Sequence, residues 1–128
     1  MKILLDTCTF VWFYSEPAKL SAQAVNILTD PSVEVALSPV SIWELFVKAG
    51  TGKFTIDGDL KQIVEEQIHL NSIRLLPVQL SHVFVHPTRP RHHKDPFDRL
   101  LVCQAIVEDM ILLTPDPLIQ QYPVRTDW

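Results

Sequence analysis

The stretch Lys2-Ile3-Leu4-Leu5-Asp6 decides the reading of this chain: a short apolar run that ends on a carboxylate. An uninterrupted apolar run of this length is what a strand covered on both faces requires. Three similar runs follow: Val33-Glu34-Val35-Ala36-Leu37, Ile73-Arg74-Leu75-Leu76 and Met110-Ile111-Leu112-Leu113. Val124-Arg125-Thr126 is a candidate fifth strand, at an edge.

Helical stretches separate the runs. Ser21 to Thr29 has apolar residues at helical spacing behind a Ser suited to the N-cap. Ser38-Pro39 precedes Val40 to Ala49, and Asp95-Pro96 precedes Phe97 to Glu108, each placing proline at the first helical position. Asp59 to Leu70 is amphipathic, with Leu60, Ile63, Val64, Gln67 and Ile68 near one face. Strands alternating with helices predict an α/β fold with a mostly parallel sheet of four to five strands, covered on both sides.

The chain has 128 residues, which fits a single domain over residues 1–128. It is 47% hydrophobic, too apolar for a disordered segment. No apolar run approaches the roughly 20 residues of a membrane-spanning helix. Asp6 and the lack of a small-residue cleavage site exclude a signal peptide at the start, so a cytoplasmic location is expected. Cys8 and Cys103 lack metal or redox spacing and are expected to be reduced, small core residues. The net charge is −4, whereas a plain nucleic-acid-binding domain carries a basic excess. If nucleic acid is the partner, the acids need a separate purpose, and holding metal ions is one.

Four acids stand out. Asp6 ends the first strand, where open parallel sheets bind ligands; capping the next turn or helix with Thr7 is the alternative. Asp116, in Leu113-Thr114-Pro115-Asp116-Pro117, repeats the arrangement, and on its own fits an Asp-Pro turn. Glu44 lies in Val40-Ser41-Ile42-Trp43-Glu44-Leu45-Phe46-Val47, which is apolar almost all round. Burial of an isolated carboxylate there is costly unless it is paired or coordinated. Lys48, one turn on, is a possible ion-pair partner. Asp98 shares an inward line with Leu101, Val102 and Ala105, whereas Asp95, before Pro96, suits an N-cap. Asp98 is therefore preferred to Asp95 as a metal ligand. Carboxylates of this kind suit Mg²⁺ or Mn²⁺, and such an ion promotes attack on a phosphodiester.

These pieces resemble the PIN-domain nucleases, and among them the VapC-type toxins of toxin–antitoxin pairs. The resemblance rests on Leu4-Leu5-Asp6-Thr7, Ser41-Ile42-Trp43-Glu44-Leu45, His93-Lys94-Asp95-Pro96-Phe97-Asp98-Arg99-Leu100-Leu101 with Gln104-Ala105, and Leu113-Thr114-Pro115-Asp116. They span nearly the whole chain in the family's order. The resemblance implies a three-layer α/β/α, Rossmann-like fold and Mg²⁺- or Mn²⁺-dependent cleavage of RNA. It places the acidic positions at Asp6, Glu44, Asp98 and Asp116, with Asp95 a possible addition and Thr7 and Thr114 in support. It also implies a cognate antitoxin protein and a homodimer. Cys8 departs from the pattern, standing where relatives often carry a His or another polar residue.

A basic rim for RNA is expected from Lys48, Lys53, Arg89, Arg91, His92, His93, Lys94 and Arg99, with Arg89 to Lys94 the candidate phosphate track. Trp12, Trp43 and the Phe residues are expected in the core. The five histidines show no zinc spacing such as H-E-x-x-H. A phospho-receiver would need an early acidic pair and a late Lys, which Asp6-Thr7 and Thr114-Pro115-Asp116 do not supply. A catalytically silent PIN-like regulatory or binding protein is the remaining alternative.

Overall fold

The first apolar run forms the central strand. In a computed structural model that describes residues 1–85 and 95–128, β1 (Lys2–Leu5) pairs in parallel with β2 (Glu34–Leu37) on one side and β4 (Ile111–Leu113) on the other. The register sets Ile3 opposite Val35 and Leu5 opposite Leu113. β3 (Arg74–Leu75) and β5 (Thr126–Asp127) add the two edges, and all pairings are parallel in the order β3-β2-β1-β4-β5. The four expected runs are all strands, the first at its expected bounds and the other three trimmed by one or two residues, and the expected fifth strand lies slightly later than its apolar start.

Alternation along the strands divides the core into two layers. Ile3, Leu5, Leu37 and Leu113 face one side, with Phe10, Ala24, Ile27, Leu45 and Val64. Leu4, Ala36 and Leu112 face the other, with Leu101, Val102, Ala105 and Ile119. The result is a three-layer α/β/α arrangement.

Six helices connect and cover the strands among the described residues: α1 (Thr7–Ser15), α2 (Ala22–Thr29), α3 (Pro39–Gly50), α4 (Leu60–Leu70), α5 (Leu80–Phe84) and α6 (Pro96–Val107). The helix starts expected at Ser21, Ser38-Pro39 and Asp95-Pro96 are in place, and Asp59, expected as the first residue of its helix, caps it instead. Ser21, Ser38, Asp59 and Asp95 each accept a hydrogen bond from a first-turn amide, and Pro39 and Pro96 open α3 and α6.

The reading of the aromatic residues is corrected. Trp43 is 63% exposed and Phe84 75%, and Phe46 is also exposed. α3 is not buried all round: among its residues only Ser41, Glu44 and Leu45 are fully buried, one stripe of the helix. Trp12 is half-buried, edge-on to Trp128 at 6.0 Å between ring centres. Cys103 is buried as expected, but Cys8 is only half-buried; both are free thiols. Among the described residues, no helix is long and apolar enough to cross a membrane.

Strand order positions the site. The chain leaves β1 toward β2 and β3, then crosses back to β4 on the opposite side. The C-terminal ends of β1 and β4 therefore flank a topological switch point, where open α/β sheets form their ligand crevice.

Candidate functional site

Asp6 leaves β1 at that switch point. Extended at φ −77° and ψ 167°, it is the N-cap of α1, and its Oδ1 accepts from the Thr9 amide at 2.7 Å. Its Oδ2 accepts from the Thr114 hydroxyl at 2.5 Å. Asp6 thus takes the capping role considered for it, at the strand end beside the switch point. The carboxylate is only 4% exposed. Burial raises its pKa; the Thr114 hydroxyl and Thr9 draw it back, and the charge of Asp116 adds to the rise.

Thr114 carries the arrangement across to β4. Its Oγ1 donates to Asp6 and accepts from the Asp116 amide at 3.1 Å. Asp116 Oδ1 accepts from the Leu118 amide at 2.9 Å, which is the turn its sequence suggested. Thr9, fully buried, donates its hydroxyl to the Leu113 carbonyl at 3.1 Å. This residue was missed in the sequence. Once Asp6 is taken as an N-cap, however, the N3 amide falls on Thr9.

Glu44 is 3% exposed and is satisfied on both oxygens. Oε1 accepts from the Thr7 hydroxyl at 2.6 Å, and Oε2 pairs with the Lys48 ammonium. Burial opposes the Lys48 charge, but the bond to Glu44 and the fields of Glu44, Asp95 and Asp98 outweigh it and raise its pKa. Asp95 Oδ1 accepts from the Phe97 amide at 2.9 Å, the capping role expected of it. Asp98 occupies the first turn of α6 and is half-buried.

Two titratable groups register the acids jointly. The Cys8 thiol is pushed up to about 12, first by burial and then by the charges of Asp6, Asp116 and Asp98. Lys48 senses Glu44, Asp95 and Asp98. Cys8 therefore lies within electrostatic reach of Asp6, Asp98 and Asp116, and Lys48 within reach of Glu44, Asp95 and Asp98. Among the described residues, though, no three His, Cys, Asp or Glu side chains stand close enough to hold a metal ion as they are. Binding an ion requires the carboxylates to close upon it. The donor chemistry suits a hard cation: the four acids offer carboxylate oxygens, and a cation would offset the cost that burial places on ionised Asp6. Arg99 is half-buried; burial raises the pKa values of Cys103 and Tyr122, and the Arg99 charge offsets part of that rise. The other cations of the expected RNA track, Arg91, His93 and Lys94 with Arg89 and His92, lie outside the described residues.

Thr114→Val is expected to destabilise the fold by about 1–3 kcal/mol, because it strips a donor from buried Asp6 and an acceptor from the Asp116 amide. Urea denaturation against the wild type checks it. A cost of a few tenths of a kcal/mol would show that the hydroxyl does not organise the two carboxylates.

The PIN domain family profile matches residues 3–124. No curated protein matches the chain significantly in sequence. Solved structures do match in fold. A chain of the VapBC2 complex of Rickettsia felis, bound to a DNA fragment from its promoter, is 17% identical at a TM-score of 0.70, covering 100% of this chain and 99% of that one. A chain of VapBC-1 from nontypeable Haemophilus influenzae is 18% identical at a TM-score of 0.64, covering 99% and 97%. A chain of FitAcB from Neisseria gonorrhoeae is 20% identical at a TM-score of 0.61, covering 97% and 95%. At these identities the likeness is one of fold.

Proposed function

The chain belongs to the PIN-domain family, and on that premise we propose that it is a Mg²⁺- or Mn²⁺-dependent endoribonuclease acting as the toxin of a toxin–antitoxin pair. The observation that carries this reading is the buried Asp6 carboxylate at the switch point, bridged through Thr114 to the Asp116 loop. Asp6, Glu44, Asp98 and Asp116 are the acids that would surround the ion. When bound, the ion would supply an activated water and offset charge on the scissile phosphate.

The chain's own residues have separable tasks. Thr9 and Thr114 fix both oxygens of Asp6. Thr7 orients Glu44. Asp95 caps α6 and so fixes the turn that presents Asp98. No side-chain nucleophile is required, and the protonated Cys8 thiol is not a competent one. Arg99 is a candidate contact for the RNA backbone, as are Arg91, His93 and Lys94.

An antitoxin partner and a homodimer belong to the same proposal. In support, Trp43 and Phe46 on α3 and Leu80, Val83 and Phe84 on α5 leave large apolar side chains exposed, and exposed apolar surface of this kind marks protein interfaces. The printed names of the neighbours, VapBC complexes and a toxin–antitoxin complex from Klebsiella pneumoniae, point the same way.

The test is cleavage of single-stranded RNA with Mn²⁺, comparing wild type with Asp98→Asn. A fall of about a hundredfold or more is expected from loss of a carboxylate that serves the metal. Full activity in a folded Asp98→Asn protein would remove Asp98 from the site.

A further inference from the structure

Trp128 stands one residue past the end of β5. β5 runs parallel to β4, so Trp128 leaves the sheet at the same edge as the loop from Thr114 to Asp116. Thr114, whose hydroxyl serves Asp6, donates its amide to the Asp127 carbonyl at 3.0 Å. The Asp127 carboxylate accepts from Gln23 of α2 at 2.5 Å and from the Trp128 amide at 2.8 Å, which fixes the backbone there. Trp128 in turn stands edge-on to Trp12, with ring centres 6.0 Å apart. Trp12 lies on α1 one turn beyond Cys8, and about 9 Å along the helix axis from Asp6.

Neither ring is sealed in the core. Both are half-buried against the layer of Ile3, Leu5 and Phe10. The Lys19 ammonium sits over the Trp12 ring, 5.4 Å from its centre, and the Lys19 side chain is 54% exposed. A ring face reached by an exposed ammonium is not packed by the core. Lys19 also pairs with Glu16, but at the surface, where an ion pair contributes little and releases readily. The Lys19 charge acts on the Cys8 thiol, as do the charges of Asp6, Asp116 and Asp98. Cys8 thus lies within electrostatic reach both of these acids and of the cation above Trp12.

An aromatic face for a base and a cation for the adjoining phosphate are the groups with which proteins grip single strands. We propose that the outer face of Trp12, walled by Trp128, stacks one base of single-stranded RNA, and that Lys19 turns to an adjoining phosphate. At a net charge of −4, general attraction for phosphate is weak, whereas stacking does not depend on net charge. Stacking reads no base edge, so the platform serves any base. This rests on the ribonuclease reading above and names where its substrate is gripped.

The experiment is equilibrium binding of a short labelled oligoribonucleotide, without divalent ions and at low ionic strength, measured by fluorescence anisotropy. An abasic oligomer of the same length keeps the phosphates and lacks the bases. Wild type is expected to prefer the intact oligomer by roughly tenfold, the scale of one stacked base. Trp12→Leu is expected to lose that preference, and Trp12→Phe, which keeps a ring, to retain most of it. Lys19→Gln is expected to weaken both oligomers alike and to lower the salt slope by about 0.7, as for one phosphate contact on a single strand. Equal binding of the two oligomers by wild type, or full preference in a folded Trp12→Leu protein, overturns the inference. A second readout does not depend on how Trp12→Leu folds. Trp43→Phe leaves Trp12 and Trp128 as the only tryptophans, and the intact oligomer, but not the abasic one, is expected to quench their emission. Absence of that quenching also overturns the inference. Base preference and quenching without cleavage in Mn²⁺ would uphold the platform and remove the nuclease reading. Binding of neither oligomer would overturn the RNA reading, and this inference with it.

Discussion

Asp6→Asn is expected to lower Mn²⁺-dependent RNA cleavage by roughly a thousandfold, the scale of the several kcal/mol that a catalytic metal contributes, while leaving the chain folded. The amide replaces the carboxylate at nearly equal volume. Its oxygen still accepts from the Thr9 amide, and its nitrogen can donate to the Thr114 hydroxyl oxygen. What disappears is a buried negative charge, so activity and stability separate. Burial raises the Asp6 pKa despite its donors. A carboxyl group with a raised folded pKa favours folding fully below its unfolded pKa, and that contribution is lost as pH rises through the folded value. Without divalent ions, wild type should therefore lose stability relative to Asp6→Asn as pH climbs from the ordinary aspartate range through the raised value. Denaturation midpoints of the two proteins across pH check the sign. A wild type that gains on the variant over that window would show that Asp6 is stabilised as a charge in the folded chain.

Leu112→Ala is expected to destabilise the fold by about 2–5 kcal/mol. Leu112 is fully buried in β4 and packs in the layer of Leu4, Leu101, Val102 and Ile119. Truncation leaves a cavity in a layer closed by the sheet on one side and α6 on the other. Domains of this kind have only about 5–15 kcal/mol in total, so a large share would go. Thr114 lies two residues beyond Leu112, so activity should fall with stability. Leu112→Met, nearly equal in volume, should cost less than about 1.5 kcal/mol. Urea denaturation distinguishes the two, and equal, small losses would place Leu112 outside the load of the core.

Residues whose burial demands a partner were the most legible in the sequence. The four apolar runs became strands because nothing but a covered parallel sheet suits them. Glu44 stood out because an acid in an apolar helix needs a counter-charge or a ligand, and Lys48 and Thr7 supply hydrogen bonds and charge there. Asp95 declared its cap through the following proline. The missed pieces have physical reasons. α1 (Thr7–Ser15) is rich in β-branched and aromatic residues and lacks a clear polar face, so helical periodicity does not reveal it. α5 (Leu80–Phe84) is shorter than a periodic pattern needs, and rests on a capping box between Gln79 and His82. Trp43 and Phe46 misled because apolar character marks burial without saying whether the cover is this chain or another. That Asp6 and Asp116 are tied through Thr114 was not legible locally, since it depends on strand order across the β1–β4 switch, which no local pattern encodes.

The most direct measurement of the central claim is RNA cleavage by the purified chain as Mn²⁺ is titrated into protein first stripped with a chelator. The account predicts no cleavage in the chelated protein, a rise that saturates with Mn²⁺, and no such rise in folded Asp6→Asn. Cleavage that is undiminished by chelation, or equal in Asp6→Asn, would contradict it.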